Sequence, residues 1–299
     1  MAQIFDFDQS ATTTIDEFCK EVGHINLDNE NEIAALAPEL NKLANNQAWM
    51  EDFILCGLTE PEIFQADNIY SAQSYMLKAI NERAFLRFAI WAPKIFDDNL
   101  GEDNFYSYQT AHNHDFSLLT AGYLGEGYST SLFEIPDHQN VIGYPGEDID
   151  LHFLDQVTLS PRRVILYEAG KDIHIQHEPQ SLSVSLNLVV AQPQMDIRQL
   201  YYDIDSKKVA GFVANEDIKR GIFFRFSAAM QSQACQNSLN EIALSHGCEL
   251  TRLYAFKAMA EGSSCTEHLK EMMAADPSKI VKSSIHELNN GVRELSVWG

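Results

Sequence analysis

The sequence predicts an α+β protein with an antiparallel β sandwich or barrel at its centre and helices at both ends. Two changes of hydrophobic period carry this reading. Apolar residues recur every three or four positions through the first eighty residues, every second position over roughly 84–227, and at helical spacing again from about Ala228. Accordingly we expect an N-terminal helical segment over 1–83 packing on the barrel, a β-barrel over 84–227 and a C-terminal helical region over 228–299.

In the first segment, "NENEIAALAPELNKLANNQAWMEDFILCGL" spaces Ile33, Leu36, Leu40 and Leu43 along one helical face, with Asp28 and Asn29 placed as caps. The central segment holds eight or so short runs, among them "RAFLRFAIWAP", "YSTSLFEIPD", "RRVILYEAG", "LSVSLNLVVAQP", "KKVAGFVANE" and "IFFRFS". Gly, Pro, Asn and Asp punctuate them, and no helical crossover separates them, so antiparallel pairing is expected. "GYLGEGY" lies between strand-like runs rather than ahead of a helix, which makes it a hairpin bend and not a phosphate loop. The last segment reads as three or four short helices broken at His246–Gly247, Glu261–Gly262 and Asp276–Pro277. His246, Cys248, Cys265 and His268 there have the look of a zinc set, but the cysteines sit among helical apolar positions.

The 299 residues carry a formal charge of −22, from 43 acidic and 21 basic side chains. Such a field repels phosphate backbones and anionic headgroups, so neither nucleic acid nor membrane is expected as a partner. Five scattered cysteines without CxxC spacing, and a start lacking a basic, apolar leader, fit a cytoplasmic protein with reduced thiols.

The chemistry concentrates in histidines. In "AHNHDF", His112 and His114 are two apart and share a face if the chain is extended. In "DIHIQH", Ile173 and Ile175 share one face, while His174 and Gln176 share the other and His177 points away. Imidazole is the commonest metal ligand near neutral pH, and three neutral rings leave a divalent ion positions open for substrate and dioxygen.

These motifs, with the glycine-rich hairpin between them and "DIHIQHEPQSLSVSLNLVV" beyond, resemble the cupin superfamily over roughly 84–195. Its double-stranded β-helix holds a metal with HxH on one strand and a later histidine on another. The closest resemblance within it is to three-histidine thiol dioxygenases, which implies Fe(II) bound by His112, His114 and His174, with Ni, Zn or Cu as other ions the same rings accept. Ser185, Leu186 and Asn187 stand where the family has an S-L-H-like stretch, which favours His174 over His177 as third ligand. Leu118 and Leu119 occupy the place of the glutamate common in cupins, and Leu119 and Val189 that of the cysteine and tyrosine of the thiol-dioxygenase crosslink. The family's carboxylate-binding arginine corresponds to Arg87 in "AFLRFAIW".

The expected function is therefore that of a non-haem iron dioxygenase acting on a small, carboxylate-bearing molecule and O₂. Arg87 would orient the anionic group, and Gln176 would hydrogen-bond a ligand or water. Two alternatives accompany it. A 2-oxoglutarate-dependent dioxygenase would use the same barrel with HxD plus a distal histidine, although Asp115 would face away. A non-catalytic metal-binding or regulatory cupin would use its C-terminal helices for docking. Homodimer formation through exposed edge strands is compatible with either.

Overall fold

The computed structural model describes residues 2–66, 73–94, 106–192, 198–213, 216–230, 232–262 and 266–289. The chain divides into two compact units, one of residues 1–139 and 149–207, the other of 140–148 and 208–299.

The first unit holds two antiparallel sheets. One follows the order β1 (Gln3–Asp6), β8 (Arg163–Tyr167), β5 (Phe116–Leu124), β10 (Ser183–Ala191), β3 (Ala84–Trp91) and β2 (Ser74–Ala79). The other, within this unit, runs β11 (Leu200–Asp203), β4 (Ala111–His112), β9 (Asp172–Gln176), β6 (Ser129–Glu134) and β7 (His152–Thr158). Alternation along the first sheet's strands sorts their side chains into two layers. Leu86, Leu119, Leu166, Leu186 and Leu188 face outward onto helices, joining Phe18, Ile33, Leu36, Leu40 and Leu43 in one core. The intervening residues Ala89, Trp91, Leu118, Ile165, Tyr167 and Val189 face inward and pack with Tyr108, Tyr128 and Leu132 in a second core. This inner layer, shared by both sheets, is where the histidines lie.

Helices α1 (Ile15–His24), α2 (Glu30–Ala35), α3 (Ala37–Ala44) and α4 (Ala48–Thr59) form as the spacing of apolar residues requires. Thr14 caps α1 in a reciprocal box with Glu17, and Asn29 caps α2 by accepting from the Asn31 N–H at 3.1 Å. Ile33, Leu40 and Leu43 are fully buried, each adding about 1.5–3 kcal/mol of apolar burial.

Three stretches depart from the sequence reading. Gln3–Asp6 and Ser74–Ala79, within the segment read as helical, are strands. Both are edge strands whose state is set by the partner they pair with, β8 and β3, rather than by their own short patterns. "IFFRFS", read as a strand, lies inside the helix Glu216–Ala229; Ile222, Phe223 and Phe226 are i, i+1 and i+4, a helical face that a short apolar run does not distinguish from a strand. In the second unit this helix joins those over Gln233–Ser245, Glu249–Gly262, Thr266–Ala275 and Lys279–Ser283. Arg252 and Asp276 form a bidentate buried ion pair there, at 2.8 and 2.9 Å. Among the described residues no helix is long and apolar enough to cross a membrane.

The hairpin bend has the glycines its geometry needs. A Cβ on Gly122 would stand 2.2 Å from the Ser160 carbonyl oxygen, and Gly125 holds φ at +78°. Because backbone rather than a flexible side chain is in the way, Gly122→Ala should lower stability by about 1–3 kcal/mol in urea unfolding; an unchanged midpoint would refute the close approach.

Candidate metal centre

His112 ends the two-residue strand β4, where it pairs on one side with His174 of β9 and on the other with Tyr201 of β11. His114 lies just past the strand, and Asn113 between them keeps the second ring turned inward. The Asn113 Oδ1 accepts from the Leu200 N–H at 2.7 Å, its Nδ2 donates to the Gly170 carbonyl at 3.4 Å, and its own N–H donates to the Leu200 carbonyl at 3.3 Å. The Gly170 N–H in turn donates to the His114 carbonyl at 2.7 Å. Asn113 and this return bond thus replace the ladder that β4 is too short to provide.

The three rings converge. Ring centres of His112 and His174 are 4.6 Å apart, those of His114 and His174 4.9 Å, and those of His112 and His114 5.2 Å. One nitrogen from each lies within 4.8 Å of those of the other two, the grouping expected of a metal-binding site. The Nδ1 of His112 lies 3.0 Å from the Thr110 carbonyl. A carbonyl only accepts, so Nδ1 carries the proton and Nε2 keeps its lone pair. That Nε2 stands 3.3 Å from the Nε2 of His174. Two nitrogens about 2.1 Å from one ion, at a right or tetrahedral angle, are roughly 3.0–3.4 Å apart, so this pair of donors has the spacing that one divalent metal requires.

Burial pushes all three imidazoles below their ordinary pKa. For His114 the neighbouring His112 and Arg87 add to burial; for His174, His112 and His114 do. Neutral rings are the form that binds a cation.

The other predicted residues fall around this cluster. Gln176 presents its amide nitrogen 3.3 Å from the Nε2 of His174 and 3.4 Å from its Nδ1. Arg87, half-buried on the inward face of β3, places its guanidinium 5.7 Å from the centre of the Phe116 ring, and Phe116 stacks on His114 at 4.5 Å with 12° between planes. His177 is elsewhere, with Nε2 2.7 Å from the Ser131 hydroxyl. Asp115 is exposed and bonded to the Gln199 amide. Of the zinc-like set, Cys265 lies outside the described residues, while the His246 Nδ1 accepts from the Cys248 N–H at 3.1 Å and His268 faces Glu271.

Sequence reasoning passed over Tyr167, whose ring lies 4.4 Å from His174, and Thr130, which pairs with Gln176. Inward alternation was available as a signal, with Tyr167 two residues past Ile165. Only the strand register puts either residue at the histidines.

No protein-family model matches the chain, and no curated protein matches it. Solved structures with some likeness include a cupin 2 domain-containing protein from Halorhodospira halophila, with 12% identity over 47% of this chain and 76% of that one and a TM-score of 0.26. A salicylate 1,2-dioxygenase from Pseudaminobacter salicylatoxidans has 10% identity over 50% and 37%, with a TM-score of 0.28. A DMSP lyase from Ruegeria pomeroyi has 11% identity over 44% and 52%, with a TM-score of 0.23. The chain spans about half the length of the DMSP lyases it resembles. These overlaps are slight.

Two outcomes follow from the geometry. Metal-free protein should lose stability as pH falls below 6.5, the ordinary imidazole value, because the unfolded chain then binds protons that the buried rings refuse. The contribution is fully present above that pH, and urea midpoints should fall less steeply in His112→Gln than in the parent; superimposable profiles would contradict it. Asn113→Leu should weaken metal binding about 10–100-fold while the circular dichroism spectrum is retained; unchanged affinity in a metal titration would show that Asn113 does not brace the ligands.

Proposed function

We propose that the first unit is a cupin-type double-stranded β-helix in which His112, His114 and His174 hold a divalent metal, Fe(II) foremost, and that the protein is a metal-dependent dioxygenase of a small, carboxylate-bearing molecule. The observation that carries this reading is the 3.3 Å approach of two Nε2 atoms, one of which has its lone pair fixed by the Thr110 carbonyl. Ni, Zn and Cu suit the same three imidazoles, and availability would decide among them.

When bound, Fe(II) would supply the redox chemistry that O₂ requires and a template for its ligands. The chain's own residues would do the rest. Inward-facing Trp91, Tyr108, Leu118, Tyr128 and Leu132 exclude bulk water, which strengthens every polar contact inside. Arg87 would hold the substrate's anionic group on the Phe116 side of the cluster, where its positive charge already acts on His114. Gln176, with its amide beside the His174 ring, would limit how that ring turns.

A 2-oxoglutarate-dependent site needs a carboxylate beside its histidines. The exposed position of Asp115, turned to Gln199, weighs against that alternative.

Protein purified without chelator should contain iron, or take it up with a rise in melting temperature, and should consume O₂ with a member of a panel of thiols and amino acids. His112→Ala should lose the metal and keep the fold. Absence of metal, with melting unmoved by Fe(II), would overturn the oxygenase reading; metal without O₂ consumption would favour a non-catalytic, regulatory cupin.

A further inference from the structure

We infer that the interior carries, beside His174, a separate subsite formed by Thr130, Tyr167 and Gln176, which takes an uncharged group able both to donate and to accept hydrogen bonds, such as a hydroxyl or a primary amide. This deepens the metal-centre reading by naming what kind of molecule would lie next to it.

The three residues are 0%, 1% and 5% exposed. Apart from the approach of the Thr130 hydroxyl to that of Tyr167, the Thr130 Oγ1, the Tyr167 hydroxyl and the Gln176 Oε1 have no hydrogen-bond partner among the described residues. Buried polar atoms are almost always paired, so an amide oxygen with no partner beside two hydroxyls that have only each other calls for a bound group that completes their hydrogen bonding. They do share one place. Thr130 of β6 is opposite Gln176 of β9, and the Tyr167 ring of β8 lies 4.4 Å from His174. The Thr130 hydroxyl faces the Tyr167 hydroxyl within hydrogen-bonding reach.

Their chemistry defines the occupant. The amide nitrogen of Gln176 is turned to His174, which leaves its oxygen as an acceptor for the ligand. That oxygen requires a donor, which a carboxylate lacks. The two hydroxyls can turn to give or to receive. A phenol is protonated at neutral pH and an alcohol does not ionise, so neither hydroxyl brings charge. The guanidinium of Arg87 is placed instead over Phe116, on the His114 flank. With an acid group at Arg87 and a neutral group here, the substrate class becomes a small hydroxy- or amide-bearing acid.

Glycolamide, neutral and both donor and acceptor, is a suitable probe, with Zn(II) as the metal. Its binding to the parent, Thr130→Val and Tyr167→Phe should be measured by calorimetry with and without Zn(II), alongside Zn(II) affinity and melting temperature. Each variant should bind glycolamide about tenfold more weakly, with Zn(II) affinity unchanged and melting at or above the parent's, because an apolar isostere removes a polar atom whose hydrogen bonding is incomplete. Equal glycolamide affinity in all three proteins, or none for the parent in either form, would overturn the subsite. So would lower melting of both variants, since the hydroxyls would then be fully satisfied within the protein. If Zn(II) fails to bind the parent while glycolamide still distinguishes the variants, the metal centre falls and the subsite stands.

Discussion

The convergence of the two histidine segments depends on a single cross-strand pair, His112 opposite His174. Side chains alternate strictly along a strand, so a slip of one residue in either partner would turn its ring to the other face. The pairing is short: β4 has two residues, and His114 lies beyond it. Its accuracy depends on neighbours, with β11 on one side, β9 on the other and the Asn113 side chain spanning to Leu200 and Gly170. A strand this short would fray if isolated; here it is pinned at both edges.

The first sheet explains how so polar an interior is tolerated. Its central strands are buried on both faces, and the outward face is apolar where it meets the helices, aliphatic residues joined there by Phe88 and Tyr123. That layer can supply the bulk of the folding energy. The inward face is then free to mix Arg87, Thr120, Ser185 and Asn187 with aromatic residues. Some of these polar groups satisfy one another, as in the Thr120 hydroxyl donating to the Asn187 Oδ1 at 2.6 Å and the Trp91 indole N–H donating to the Ser185 hydroxyl at 3.0 Å.

Electrostatics work at two ranges. The −22 charge makes the distant field hostile to anions. Within the inner layer the Arg87 guanidinium acts on the His114 ring across a short distance, where low dielectric makes a single charge count most. A carboxylate drawn to Arg87 would therefore be selected at the site rather than steered toward it from afar.

The α+β class, the two changes of period and the face shared by His174 and Gln176 were legible in the sequence, because periodicity is a local consequence of backbone geometry. The helical stripe of Ile33, Leu36, Leu40 and Leu43 was legible for the same reason. The strands Gln3–Asp6 and Ser74–Ala79 and the helix containing Ile222–Phe226 were not, since short segments take the state their partners impose. That His174 rather than His177 meets the earlier pair, and that Thr130 and Tyr167 join it, was decided by tertiary register: two distant segments acquire a common neighbour only when strands from different parts of the chain are laid side by side.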